Sequence, residues 1–233
     1  MQIKYKILDF FYPKFCISCN KENTYLCPDC FSKIKLFPSS TCPYCNSRSF
    51  EGLICKNHRK NLKGFISAVP YSENILRKII DAQKYSFIKE LSKPLAFLIF
   101  KFLKENPEIE FFKNPTNFVI IPIPLHSRRL RWRGFNQAEE IAKELSPLLK
   151  IPIETKILSR KKYTKSQARL KEKEKIENVK GAFDVNIKFI KNIKNKKIIL
   201  VDDVATTLST LEEAAKTLKV GAKETWGLTV AKG

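Results

Sequence analysis

The stretch Ile198-Ile199-Leu200-Val201-Asp202-Asp203-Val204-Ala205-Thr206-Thr207-Leu208-Ser209-Thr210 decides the fold. Four consecutive apolar residues, three of them β-branched, read as a strand buried on both faces, which is the signature of a parallel sheet. They run into two adjacent acids, and a hydroxyl-rich turn then opens a helix over 208–218, with Gly221 as its C-cap. A helix N-terminus offers unpaired N–H groups and the positive end of the dipole, which with Thr and Ser hydroxyls make a phosphate cradle. Acids just before it can hold ribose hydroxyls or a divalent cation. Two neighbouring carboxylates at the end of a buried strand are costly without partners, which weighs against an ordinary capped turn.

Outward from this stretch, strands alternate with helices. Residues 65–71 read as a strand, with Ser72 as N-cap of a long amphipathic segment from Glu73 toward Glu105 that Pro94 divides into two helices. Residues 118–121 form a second continuous apolar run. A helix over about 135–145 follows, with Ala138, Ile141, Ala142 and Leu145 at helical spacing before Pro147 interrupts it. Residues 197–201 and 225–230 complete the strands. This rhythm predicts βαβ units and an α/β fold with a parallel sheet over 65–233.

Residues 1–64 have a different character. All seven cysteines lie between Cys16 and Cys55, six as C-x-x-C pairs: Cys16/Cys19, Cys27/Cys30 and Cys42/Cys45. Cys55 makes a fourth pair with His58. Eight ligands suffice for two tetrahedral zinc ions, and consecutive pairing gives one all-cysteine site and one of three cysteines with a histidine; interleaved pairing is equally open from spacing alone. Disulfides are the alternative, but a chain without a secretory signal reads as cytoplasmic and reduced, where this pattern points to metal. So small a module needs metal to hold a fold. Phe31, Ile34 and Leu36 suggest a short amphipathic helix docking it on the larger domain.

Hydrophobic residues make up 43% and charged residues 29% of the 233, which excludes a disordered, collagenous or membrane-embedded chain. The longest apolar run, 95–100, is far short of the ~20 residues needed to span a bilayer. With 44 Lys+Arg against 23 Asp+Glu the formal charge is +21, a field that attracts polyanions and phosphorylated small molecules. Lysine spread along the whole chain also accompanies thermophily, so arginine is the more informative cation. Arg128, Arg129, Arg131 and Trp132 are candidate nucleic-acid contacts, with Trp132 and Tyr44 as stacking surfaces.

The acidic stretch resembles the phosphoribosyl pyrophosphate (PRPP) motif of type I phosphoribosyltransferases. Upstream, Ile121-Pro122-Ile123-Pro124-Leu125-His126, the arginines at 128, 129 and 131, and Arg133-Gly134-Phe135-Asn136-Gln137-Ala138 resemble the signature of the ComF family of competence proteins. Lys84-Tyr85, Ser166-Gln167 and Asn178-Val179-Lys180-Gly181-Ala182-Phe183 add to the match, and with the cysteine knuckles it covers nearly the whole chain. The resemblance implies a phosphoribosyltransferase-like fold behind a zinc-ribbon module, coupled to DNA uptake in natural transformation. It assigns Asp202 and Asp203 to the ribose hydroxyls and Mg²⁺. Ala205, Thr206, Thr207, Leu208, Ser209 and Thr210 fall to the 5′-phosphate, and the Ile123-Pro124 turn with Arg133 to the pyrophosphate. The segment 156–180, with ten Lys+Arg and three Asp+Glu, corresponds to a hood over the ribose site. The family usually has glycine where Leu208 stands; leucine fits there if its φ is negative, its amide points inward and its side chain faces the helix's core side. His126 is a candidate acid or base, and equally a phosphate-contacting or capping group.

Three functions remain open. The first is a DNA-uptake factor binding single-stranded DNA and PRPP, with phosphoribosyl transfer as a further capacity. The others are a nucleotide-salvage phosphoribosyltransferase with structural zinc, and a non-catalytic adaptor of a helicase or other uptake protein.

Overall fold

Apolar runs without polar alternation become strands covered on both faces, and four of them form one parallel sheet in the computed structural model, which describes residues 13–164 and 172–233. Ser166 and Gln167 lie outside these residues. The described strands are β1 (Gly64–Pro70), β2 (Phe118–Pro122), β3 (Leu158–Arg160), β4 (Phe183–Val185), β5 (Lys197–Ala205) and β6 (Glu224–Lys232). The sheet runs β1-β6-β5-β2, while β3 and β4 make a separate antiparallel pair. Parallel neighbours require long crossovers, and helices supply them. Side-chain parity then divides the core. Ile199 and Val201 of β5 face a cluster built with the helices Asn74–Tyr85, Ser92–Glu105 and Gln137–Leu149; Ile198 and Leu200 face one built with the helix Ser209–Leu218.

Several boundaries differ from the sequence reading, each for a local reason. Glu73, not Ser72, caps the first long helix, its carboxylate accepting from the Leu76 N–H at 2.7 Å. The break between the two helices falls at residues 86–88, and Pro94 sits in the first turn of Ser92–Glu105, where a missing N–H costs nothing. Pro147 does not end its helix, which runs to Leu149 because Leu145 and Leu149 are both anchored in the core. Lys219, not Gly221, is the C-cap of Ser209–Leu218; a Cβ on Gly221 would come within 2.8 Å of Ile190. β5 extends past Val201 to Ala205, so Asp202 and Asp203 lie within the strand and not at its very end.

The N-terminal module straddles the β1 edge. Leu53 bridges Gly64 of β1, covering an edge that would otherwise expose unpaired backbone groups. The predicted docking helix is the single turn Pro28–Ser32, and Ile34 and Leu36 follow it. All the same, Phe31, Ile34 and Leu36 pack on the first core cluster. On the opposite face Cys42, Ile54 and Leu62 join the second. The module therefore grips both sides of the sheet. Among the described residues, no helix is long and apolar enough to cross a membrane.

Candidate functional site

Strands that run parallel bring their carboxyl ends to one side, and ligands of open α/β sheets bind there. A cleft of about 780 Å³ opens at that end, between the sheet, the helix Ser127–Arg133 and the hood. Among the residues assigned to PRPP, Ile123, Arg133, Asp202, Asp203, Thr206 and Thr210 line it. Pro124, Ala205, Thr207, Leu208 and Ser209 do not.

The acid pair is held by its own backbone and by one lysine. Asp202 Oδ1 accepts the Asp203 N–H at 2.9 Å, and Asp203 Oδ1 accepts the Val204 N–H at 2.7 Å. Asp203 Oδ2 meets Lys84 Nζ at 2.7 Å. Burial, with the Asp203 charge beside it, pushes the Asp202 carboxyl up to about 7. Burial alone would lower the Lys84 ammonium, but the Asp203 carboxylate outweighs it and leaves it raised. Lys84 was legible only as part of the Lys84-Tyr85 match; its partner was not.

The loop after β5 departs from expectation at Leu208, whose φ is +56°, in the left-handed region. The condition of a negative φ is therefore not met, and leucine has taken up the conformation that glycine adopts freely. Its side chain does face the helix's core side, buried in the second cluster with Leu211 and Ala214. As N-cap residue Leu208 makes no side-chain cap bond, so the first-turn amides of Ser209–Leu218 receive nothing from it. Thr207 Oγ1 and Ser209 Oγ lie 3.0 Å apart, and Lys175 Nζ donates to Thr206 Oγ1 at 3.4 Å.

The arginines differ in burial. Arg129 and Arg133, one helical turn apart, are half-buried in the cleft wall; Arg128 and Trp132 are exposed but line the same cleft at its rim, and Arg131 is exposed outside it. Arg129 donates to the Thr164 carbonyl at 2.8 Å and Arg160 to the Thr164 hydroxyl at 2.6 Å, which ties this wall to the hood. Burial lowers the guanidinium groups of Arg133 and Arg160, against the pull of Asp203 and Asp202 respectively. Arg133 Nε and Gln137 Nε2 are buried without a hydrogen-bond partner among the described residues, and both residues line the cleft. Unpaired buried donors in residues that line the cleft suit an oxyanion ligand. Asn136 Nδ2 donates to the Ile123 carbonyl at 3.0 Å, fixing the Ile123-Pro124 turn. At the rim, Phe87 meets Trp132 edge-on at 5.1 Å, and Arg128 lies 5.2 Å from the Tyr163 ring. His126 is a cap: its Nδ1 accepts the Arg128 N–H at 3.2 Å. Arg160 and Tyr163 carry no motif of their own and Gln137 stood in the Arg133–Ala138 run without a role; the folded wall and hood bring all three to the cleft.

The knuckles pair consecutively. Cys16, Cys19, Cys27 and Cys30 form one cluster, and Cys42, Cys45, Cys55 and His58 the other, with all ligand atoms of each within 4.8 Å of one another. Zinc–sulfur bonds near 2.3 Å put tetrahedral sulfurs about 3.8 Å apart. The separations Cys19–Cys27 and Cys42–Cys55, both 3.6 Å, and Cys45–Cys55, 3.9 Å, fit that ion. Burial would raise the Cys16 thiol, but backbone donors at Cys27, Cys19 and Ser18 pull it down to about 6. Cys42 falls to about 7 in the same way, against burial and through Tyr44, Cys55 and Cys45. Cys45 is lowered too, whereas Cys19, against a backbone donor at Lys21, is raised by the neighbouring thiols and Cys55 is raised by burial, so the thiolate is favoured at part of each cluster. Tyr44 is not a free stacking surface, because its hydroxyl donates to Glu212 at 2.9 Å.

Comparison with known proteins agrees with this arrangement. A double zinc ribbon domain matches residues 7–59. The chain is 33% identical to Competence protein F of Haemophilus influenzae, over 93% of this chain and 96% of that protein. It is 28% identical to Competence protein ComFC of Bacillus subtilis, over 85% of this chain and 79% of the relative. To the DNA utilization protein YhgH of Escherichia coli it is 32% identical over 99 residues, 42% of each chain.

Proposed function

The chain belongs to the competence protein F family, and from that membership we propose a DNA-uptake protein whose cleft holds PRPP with Mg²⁺ and whose rim holds single-stranded DNA. One observation carries the reading: the helix Ser127–Arg133 sets Arg128, Arg129 and Arg133 in the wall of the cleft that holds the acid pair, with Trp132 at its exposed rim and Arg131 exposed outside it. Cations gathered beside the acids suit a diphosphate, while the exposed arginines and indole offer phosphate-backbone contacts and a base-stacking surface at the rim.

In this reading Asp202 and Asp203 accept the ribose hydroxyls and the first-turn amides after Leu208 hold the 5′-phosphate. Arg133, Arg160 and Gln137 supply donors to the diphosphate. Bound Mg²⁺ adds neutralising charge there. Transfer, where an acceptor is present, displaces the diphosphate from C1 through a cationic, loosely bonded transition state, and such chemistry asks for positioning and electrostatics more than for a nucleophile. Seven free cysteines suit a reducing cytoplasm, and a helicase or other competence protein is the partner that would deliver the strand.

The test is a titration of a labelled oligothymidine, followed by anisotropy across a salt series, with and without Mg²⁺ and PRPP. A steep linear fall of log affinity with log salt, together with heat on PRPP addition, is expected. Turnover of a free nucleobase without strand binding points instead to a salvage transferase. Strand binding with no PRPP heat points to an adaptor.

A further inference from the structure

Glu212 lies in the first turn of Ser209–Leu218 and is buried, with 8% of its surface exposed. A carboxylate in such a place is costly unless its oxygens are bonded. Both are bonded, and both donors come from the second zinc ribbon. The Tyr44 hydroxyl donates to Oε1 at 2.9 Å, and the Asn61 backbone N–H to Oε2 at 2.8 Å. Tyr44 sits inside the Cys42-Pro43-Tyr44-Cys45 knuckle with its ring 5.8 Å from that of His58, so the metal cluster sets its position. Asn61 is three residues past His58.

Apolar contacts run the same way. Cys42, Ile54 and Leu62 share the second core cluster with Leu208 and Leu211. The first ribbon makes no such link among the described residues: its cysteines form a separate cluster with Leu26, and Ile34 beside them packs on the opposite core. Leu208 at φ +56° is a strained residue, and strain persists only where the surroundings over-determine it. The second ribbon contributes Cys42, Ile54 and Leu62 to that surrounding.

We infer that Tyr44 and Glu212 are positioning residues through which zinc in the Cys42/Cys45/Cys55/His58 cluster sets the phosphate loop, whereas zinc in the first cluster does not. The inference rests on the reading of that loop as a phosphate cradle. Metal occupancy at the second ribbon then controls how well the amides after Leu208 are aimed.

The experiment is hydrogen–deuterium exchange on the full chain with zinc content measured alongside. Tyr44→Phe should keep both zinc ions and speed exchange in the peptide covering 205–212 about tenfold, the scale of one hydrogen bond to a carboxylate. Its affinity for Mg²⁺-PRPP should weaken by a similar factor. Cys45→Ser should give the same exchange with one zinc lost; Cys19→Ser should lose one zinc and leave 205–212 unchanged. If Tyr44→Phe itself releases zinc, Glu212→Gln carries the test with the same exchange readout and an untouched ribbon. Unchanged exchange at 205–212 in the zinc-replete variant, or equal loosening from loss of either cluster, overturns the link. Exchange reports with no ligand present, so a wild-type protein that takes up no PRPP counts against the proposed function and leaves this inference standing.

Discussion

Leu208→Gly sets two opposed effects against each other. The left-handed backbone at φ +56° and ψ 0° costs an L-residue about 1–2 kcal/mol, which glycine recovers. The leucine side chain is 3% exposed in the core cluster with Ala205, Leu211 and Ala214, and emptying such a site costs about 2–5 kcal/mol. Burial wins. The expected net is a loss of about 1–3 kcal/mol, read as a lower urea midpoint with an unchanged slope in zinc-saturated protein. A variant as stable as the parent or more so would refute the reasoning, since it would make the leucine pure strain with no packing role.

Three further outcomes are expected. Elemental analysis should find about two zinc ions per chain, and chelation should unfold the ribbon module in one step, since structural zinc contributes ~10 kcal/mol or more to so small a unit. Replacing Arg128 and Arg131 together with Ala should reduce the log–log salt slope of strand binding by about 2, one for each phosphate contact, while Trp132→Ala should cost about 1–3 kcal/mol at all salts. The folded Asp202 carboxyl, at about 7, lies above its unfolded value, so its unfavourable contribution is absent below about pH 4 and complete above pH 7. Asp202→Asn should therefore stabilise the fold at pH 8 and not at pH 4 in paired urea titrations.

The sheet was legible because 118–121 and 198–201 are apolar without alternation, the pattern of a strand covered on both faces. The cysteine pairs were legible for an equally local reason, since a two-residue spacing brings two thiols to one metal. Helix ends were less so. Glu73 caps through its own carboxylate where Ser72 was the better cap by residue type, and Pro147 is tolerated inside a helix held by core contacts that the local pattern does not carry. The site divides likewise. Asp202 and Asp203 stand out as adjacent acids, whereas Lys84 reaches Asp203 from 119 positions away in sequence, and Tyr44 reaches Glu212 across a separation of 168. Such pairings are set by how the layers stack, and no window of sequence contains them.

Calorimetric titration of PRPP into the zinc-replete protein, with and without Mg²⁺ and with Asp202→Asn/Asp203→Asn as comparison, bears most directly on the central claim. Mg²⁺-dependent heat in the parent, growing as pH rises toward 7 and absent in the double variant, is the predicted result. No heat in the parent, or heat that survives removal of both carboxylates, would contradict a cleft built around the acid pair.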